Sequence, residues 1–252
     1  MLTMTIWCVG MCLEALVLVR GFQERLYRRF PLFYGYLLFV TLDDFLRIAV
    51  YRWEPEHFYF QVYWVTQFLS LAIGSGIIFE IYRVALKPFP GAARMARYLL
   101  LIVFGAIFAR TLSGSSGGVF AWLEDTSVVL ERNLRIVQAL AIAALVLLFV
   151  WYAIPFGKNL KGILVGYSVF IGMSILRFTL LAYSWDQIKS FWPYAGAVSF
   201  LVVLGIWARA LWSSQPMPVT QTKLESDYEL LVLSTREQFR RTLERLGSAA
   251  RV

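Results

Sequence analysis

The sequence predicts an all-α integral membrane protein: a bundle of seven transmembrane helices, N-terminus outside, with a cytoplasmic helical tail. Three observations predict it. Hydrophobic residues fill 59% of the 252 positions and charged residues 16%, against about 45–50% and about 25% in a soluble domain. Apolar runs of spanning length recur along the chain, without the short alternating segments of a membrane barrel. Lys and Arg gather in every second loop, the asymmetry that orients helices across a bilayer.

The first span covers about 2–19, with Glu14 as its one charge. No basic stretch precedes it, so it reads as a retained span rather than a cleaved signal. Cys8 and Cys12 lie one helical turn apart in it, a spacing that suits helix packing better than a disulfide. A basic loop with Arg20, Arg25, Arg28 and Arg29 follows, and Pro31 suits the first turn of the next helix. The second span covers about 32–51 and the third about 58–82, where Gly74-Ser75-Gly76 permits close helix contact. The loop 83–97 holds Arg83, Lys87, Arg94 and Arg97, with Pro88, Pro90 and Gly91 as breakers.

The fourth span covers about 98–112 and carries Gly105/Ala109 as a small-residue pair. A glycine–serine loop over 113–118 leads into Phe120–Asp125, read as an interfacial turn. Span five covers about 128–153 and is stopped by Pro155 and Gly157. After Lys158 and Lys161, span six covers about 162–183, with Gly162/Gly166 as a second small-residue pair. A short loop over 184–189 precedes span seven, about 191–212, anchored by Trp192, Tyr194 and Trp212.

The domain organisation that follows is a membrane domain over 1–212, a linker over 213–222 and a tail over 223–252. The linker holds Pro216 and Pro218. Thr222 and Glu225 form a capping-box pattern, which Ser234 and Glu237 repeat, so one or two helices are open. Leu224, Tyr228, Leu231, Phe239, Leu243 and Leu246 fall roughly on one face. That stripe suits a helix on the membrane surface. It also suits a cytoplasmic protein partner or self-association through 223–246.

The net charge of +8 reflects the basic loops, so no nucleic-acid partner is expected; the lipid bilayer is the expected surrounding. No cofactor is expected. The lysines lie in loops or the tail, which argues against a retinal Schiff base, and a lone histidine cannot form a paired haem site. HExxH, P-loop and GxGxxG motifs are missing. Asp43-Asp44 lacks the second acidic motif of a magnesium–diphosphate site, so no metal site is assigned. No outward Asn-x-Ser/Thr sequon is found, and a bacterial inner membrane is the expected location.

One polar cluster breaks the apolar pattern. Asp43, Asp44 and Arg47 lie inside the second span, where each charge costs at least a few kcal/mol without a partner or a purpose. Asp43 and Arg47 stand four apart, acid first, the favourable order for a pair on one face. Glu131, Arg135 and Gln138 form a stripe on span five; Arg177 lies on span six, Tyr63 and Gln67 on span three. With the assigned orientation all fall in the outer half, three acids against three arginines. Two readings stay open: an ion-pair network that sets helix register, and a pocket whose Arg135 and Arg177 face a small anionic ligand. A receptor-like or scaffold protein is the first functional reading and a transporter of a small anionic solute the alternative. No nucleophile–base or metal set supports an enzyme.

Overall fold

The computed structural model describes residues 2–53, 56–112, 119–183, 192–215 and 224–249. These residues fold into eight α-helices and one 3-10 turn. The helices are α1 (Leu2–Gln23), α2 (Pro31–Trp53), α3 (Glu56–Ala85), α4 (Pro90–Leu112), α5 (Val119–Trp151), α6 (Lys158–Tyr183), α7 (Trp192–Ala210) and α8 (Leu224–Ala249). The 3-10 turn, Leu26–Arg28, joins α1 to α2. Four segments are long and apolar enough to cross a membrane: Phe58–Ala85, Pro90–Arg110, Val129–Trp151 and Lys158–Leu180. Tyr194–Ala210 is a shorter apolar helix. The chain is thus an all-helical protein of multi-pass membrane character.

Several boundaries differ from the sequence reading. Helix α4 begins at Pro90, so Arg94 and Arg97 are helical rather than in a loop. Proline has no N–H to lose in a first turn and its φ is already helical, so here it starts a helix instead of breaking one. Helix α5 begins at Val119 and absorbs the expected interfacial turn. Helix α8 is continuous through Ser234, where a second start was open. Cys8 and Cys12 are free and exposed, on the outer face of α1 rather than in a helix contact. The glycine–serine loop 113–118, the loop 184–189, the prolines of the linker and the Thr222 cap lie outside the described residues.

The helices close a ring in the order α1–α2–α3–α5–α6–α7 and back to α1. Helix α3 also meets α6 across the ring, while α4 packs outside it against α3 and α5. Small residues set the close contacts. A Cβ added at Gly162 would overlap Ala210, and one at Gly166 would fall on the Trp207 indole. The Gly105/Ala109 pair does not act this way, because both residues are exposed on α4 and nothing lies near Gly105. Inside the ring, Phe33 meets the Trp207 ring edge-on with centroids 4.9 Å apart. The Tyr167 hydroxyl donates to the Gly74 carbonyl at 2.7 Å, which ties α6 to α3 at the glycine pair.

Two polar side chains fix helix ends. Both oxygens of the buried Glu80 accept backbone N–H groups at the start of α2, from Leu32 at 3.0 Å and Phe33 at 2.8 Å. This is a capping carboxylate borrowed from a neighbouring helix, placed where the helix dipole favours negative charge. Asn159 Nδ2 donates to the carbonyls of Ala210 and Ser213 at 2.9 and 2.8 Å, and its Oδ1 accepts from Gln215 N–H at 2.8 Å. It thereby satisfies the end of α7 from the start of α6.

Candidate functional site

The polar cluster of the sequence falls inside the ring. Asp43, Asp44, Arg47, Gln67, Glu131, Arg135 and Arg177 line one cavity of about 290 Å³. Helices α2, α3, α5, α6 and α7 form its walls; α4 takes no part. The two remaining candidates sit behind this lining. The Arg47 guanidinium lies over the Tyr63 ring, 4.6 Å from its centroid. Gln138 is fully buried beneath Arg135, outside the lining.

The charges do not form a single closed set. On α2, Arg47 Nη2 meets Asp43 Oδ2 at 2.7 Å and donates to Thr66 Oγ1 on α3 at 2.9 Å. On α5, Arg135 Nη2 lies 3.5 Å from Glu131 Oε1. Glu131 Oε2 accepts from Gln67 Nε2 at 3.2 Å, which ties α5 to α3. Below, Arg135 Nη1 donates to Gln138 Oε1 at 3.2 Å, and Gln138 Nε2 donates to Ser75 Oγ at 3.3 Å. The Arg135 guanidinium also stacks over Phe170, 4.6 Å from the ring centroid. Both pairs have the i, i+4 spacing legible in the sequence.

Asp44 and Arg177 are left over. Among the described residues neither takes part in a hydrogen bond or an ion pair. Asp44 is half-buried on one wall and Arg177 exposed on another. Comparisons with protein-family models, characterised proteins and solved structures gave no match. The chemistry of the cavity therefore has to be argued from its own atoms.

Among the described residues three lining atoms are buried without a partner: Asp43 Oδ1, Arg47 Nε and Arg135 Nε. A buried polar atom left unpaired costs about 1–3 kcal/mol. The wall thus offers one acceptor and two donors besides the uncommitted Arg177 and Asp44. Among the described residues no three His, Cys, Asp or Glu side chains group as metal ligands.

Sequence reasoning missed part of the lining. Tyr36 and Val40 lie seven and three positions before Asp43, and that helical spacing places them on its face. Ser174 lies three positions before Arg177, on the same face of α6. Gly196, Ser199 and Phe200 bring in α7, and no motif in that helix sets them apart. Below the cavity the ring is closed by apolar packing: Leu71, Ile78, Ile163, Trp207 and Phe33 are all buried.

Proposed function

We propose that this chain is a receptor-like seven-span protein with a ligand cavity open to the outside. The observation that carries the reading is Arg177: a cavity-lining guanidinium with no partner among the described residues, beside two arginines already committed to carboxylates. A planar, permanently charged fork of this kind binds a carboxylate or another small anion. Asp44, on a different wall, supplies an acceptor for a hydroxyl or ammonium group of the same molecule. Arg135 is assigned a positioning role here, because Glu131, Gln138 and Phe170 already hold it.

The topology belongs to the same proposal. Helices α1, α2 and α7 contain 22, 23 and 19 residues, or about 28–35 Å at about 1.5 Å per residue. Those lengths match a hydrocarbon core of about 30 Å. Three of the four charges of α2, Asp43, Asp44 and Arg47, line the cavity, where a spanning helix can keep them. With the basic loops cytoplasmic, the N-terminus and cavity mouth lie outside and the tail inside, in a bacterial inner membrane.

Beyond Ser75 the buried Ile78, Ile163, Trp207 and Phe33 fill the ring, and this packed apolar floor favours a receptor over a transporter. Tail helix α8 touches the bundle near its start. Tyr152 Oη donates to Asp227 Oδ2 at 3.1 Å, and Tyr228 is half-buried in a groove against α4. Further along, Leu230, Val232 and Leu233 are exposed, available to a cytoplasmic partner, a second copy or the membrane surface. The Leu231, Phe239, Leu243 and Leu246 side chains of the expected stripe lie outside the described residues.

The test is thermal stabilisation of the purified protein by a panel of small mono- and dicarboxylates, with uptake measured in proteoliposomes. A carboxylate should raise the unfolding temperature of the native chain and not that of Arg177→Ala. Flux of that compound across the vesicle would replace the receptor reading with the transporter. Equal stabilisation of both proteins would remove Arg177 from the site.

A further inference from the structure

A second charged cavity lies at the other end of α3. It measures about 570 Å³ and is bounded by the end of α3, the start of α4 and the first residues of α2. The nearest α3 residues of the two linings, Ser70 and Phe79, are nine positions apart, so the cavities are separated by about 14 Å along the helix. Four cations line it: Arg83, Lys87, Arg94 and Arg97. Its one acid is Glu80, whose oxygens are already engaged by the α2 backbone and by Arg83 at 3.1 Å.

That accounting leaves Lys87, Arg94 and Arg97 without a counter-charge. Among the described residues none of the three has a hydrogen bond or ion pair. Arg94 and Arg97 stand three apart on α4, so they share a face. The first turn of α4, with Pro90 in the lining, adds the positive end of a 23-residue helix. The same cavity has apolar walls, Leu32, Phe79, Leu100 and Leu101. Leu32 and Leu101 are themselves exposed on the outside of the bundle, where acyl chains would run. A basic recess against an apolar helix surface, at a membrane boundary, has the composition of a headgroup site.

We propose that the recess between α3 and α4 binds a phosphate-bearing anionic group, its arginines and lysine on the phosphate and its leucines on the attached chain. This does not rest on the outer cavity, with which it shares no lining residue. The apolar walls favour a phospholipid as the source of the phosphate. A soluble organophosphate has the same headgroup chemistry without the tail.

The experiment uses the full chain in nanodiscs of phosphatidylcholine alone and with phosphatidylglycerol. Retained lipid is counted by native mass spectrometry and affinity read from thermal shifts. The comparison protein is the double variant Arg94→Gln/Arg97→Gln, whose two exposed, unpaired side chains can change without disturbing the bundle. An equal unfolding temperature in phosphatidylcholine alone verifies that. The native chain should retain phosphatidylglycerol through delipidation, and the double variant should bind it about thirtyfold more weakly, from about 1 kcal/mol per cation near the surface. Displacement by glycerol 3-phosphate at concentrations that match the lipid would uphold the phosphate site and assign it to a soluble ligand. Equal retention by the native chain and the variant would overturn the proposal. So would oleate, an anion without phosphate, binding as well as phosphatidylglycerol.

Discussion

The two charged cavities obey opposite rules. The one inside the ring is built from both signs and is largely paired: Asp43 with Arg47, Glu131 with Arg135. The one between α3 and α4 is built almost wholly from cations, and its single acid serves the backbone of another helix. Depth explains the difference. A charge buried in the ring wall, as Asp43 and Arg135 are, has lost its hydration and needs an internal partner. A cation at a helix end is solvated already and can wait for an external anion. Pairing in the first cavity therefore chiefly concerns folding, and lack of pairing in the second concerns binding.

The largest expected effect breaks that division at its deepest residue. Arg135 is 5% exposed, and its removal takes the cation from Glu131 and the donor from Gln138 Oε1. Arg135→Ala should cost about 3–5 kcal/mol, the usual penalty for breaking one side of a buried pair. Chemical or thermal unfolding in detergent would show it. A cost under about 1 kcal/mol would mean that the pair is solvated and the contrast between cavities is false. Next comes the ring itself. Gly166→Leu sets a branched side chain against the Trp207 indole and should cost about 1–3 kcal/mol by overpacking, with the same change at Gly105 near neutral. A third change touches the acid of the recess between α3 and α4. Glu80→Ala leaves the Leu32 and Phe33 N–H groups uncapped and should cost about 0.5–2 kcal/mol. It should also strengthen binding of anionic lipid by removing the one competing carboxylate. Weaker lipid binding in Glu80→Ala would show that the acid orders the recess rather than competing within it.

Much of this was legible from residue spacing and some was not. Asp43 with Arg47, and Glu131 with Arg135, are i, i+4 pairs, so one helix contains everything needed to read them. The bridges between helices were not legible. That Gln67 meets Glu131 and Thr66 meets Arg47 depends on α3 packing between α2 and α5, and adjacency is a property of the closed ring. The same limit hid the split within the charge set. Three acids and three arginines suggested a balanced network, yet balance by count is not pairing by geometry, and Asp44 and Arg177 stand apart. The role of Glu80 was missed because its partners are backbone groups forty-seven and forty-eight positions away. At α4 the breakers Pro90 and Gly91 misled, since proline stops a helix from inside but starts one from its first position.

The smallest expected effect is the sharpest test of the contrast. Arg177→Gln and Arg97→Gln each remove one exposed guanidinium without an ion pair, and surface changes of this kind stay within about 0.5 kcal/mol. Stability should hardly move in either variant. Their ligands should move separately: Arg177→Gln loses the response to a carboxylate and keeps phosphatidylglycerol, while Arg97→Gln does the reverse. Among the described residues helix α3 lines both cavities with more than one side chain each, so it is the most direct route for cross-talk. If Arg97→Gln also shifted carboxylate binding, the cavities would be coupled through α3, and lipid occupancy at one end would tune ligand affinity at the other. Coupling of that kind is reciprocal by thermodynamic necessity, so carboxylate binding must then change phosphatidylglycerol affinity by the same factor, and a one-way result would point to damaged packing in the variant instead.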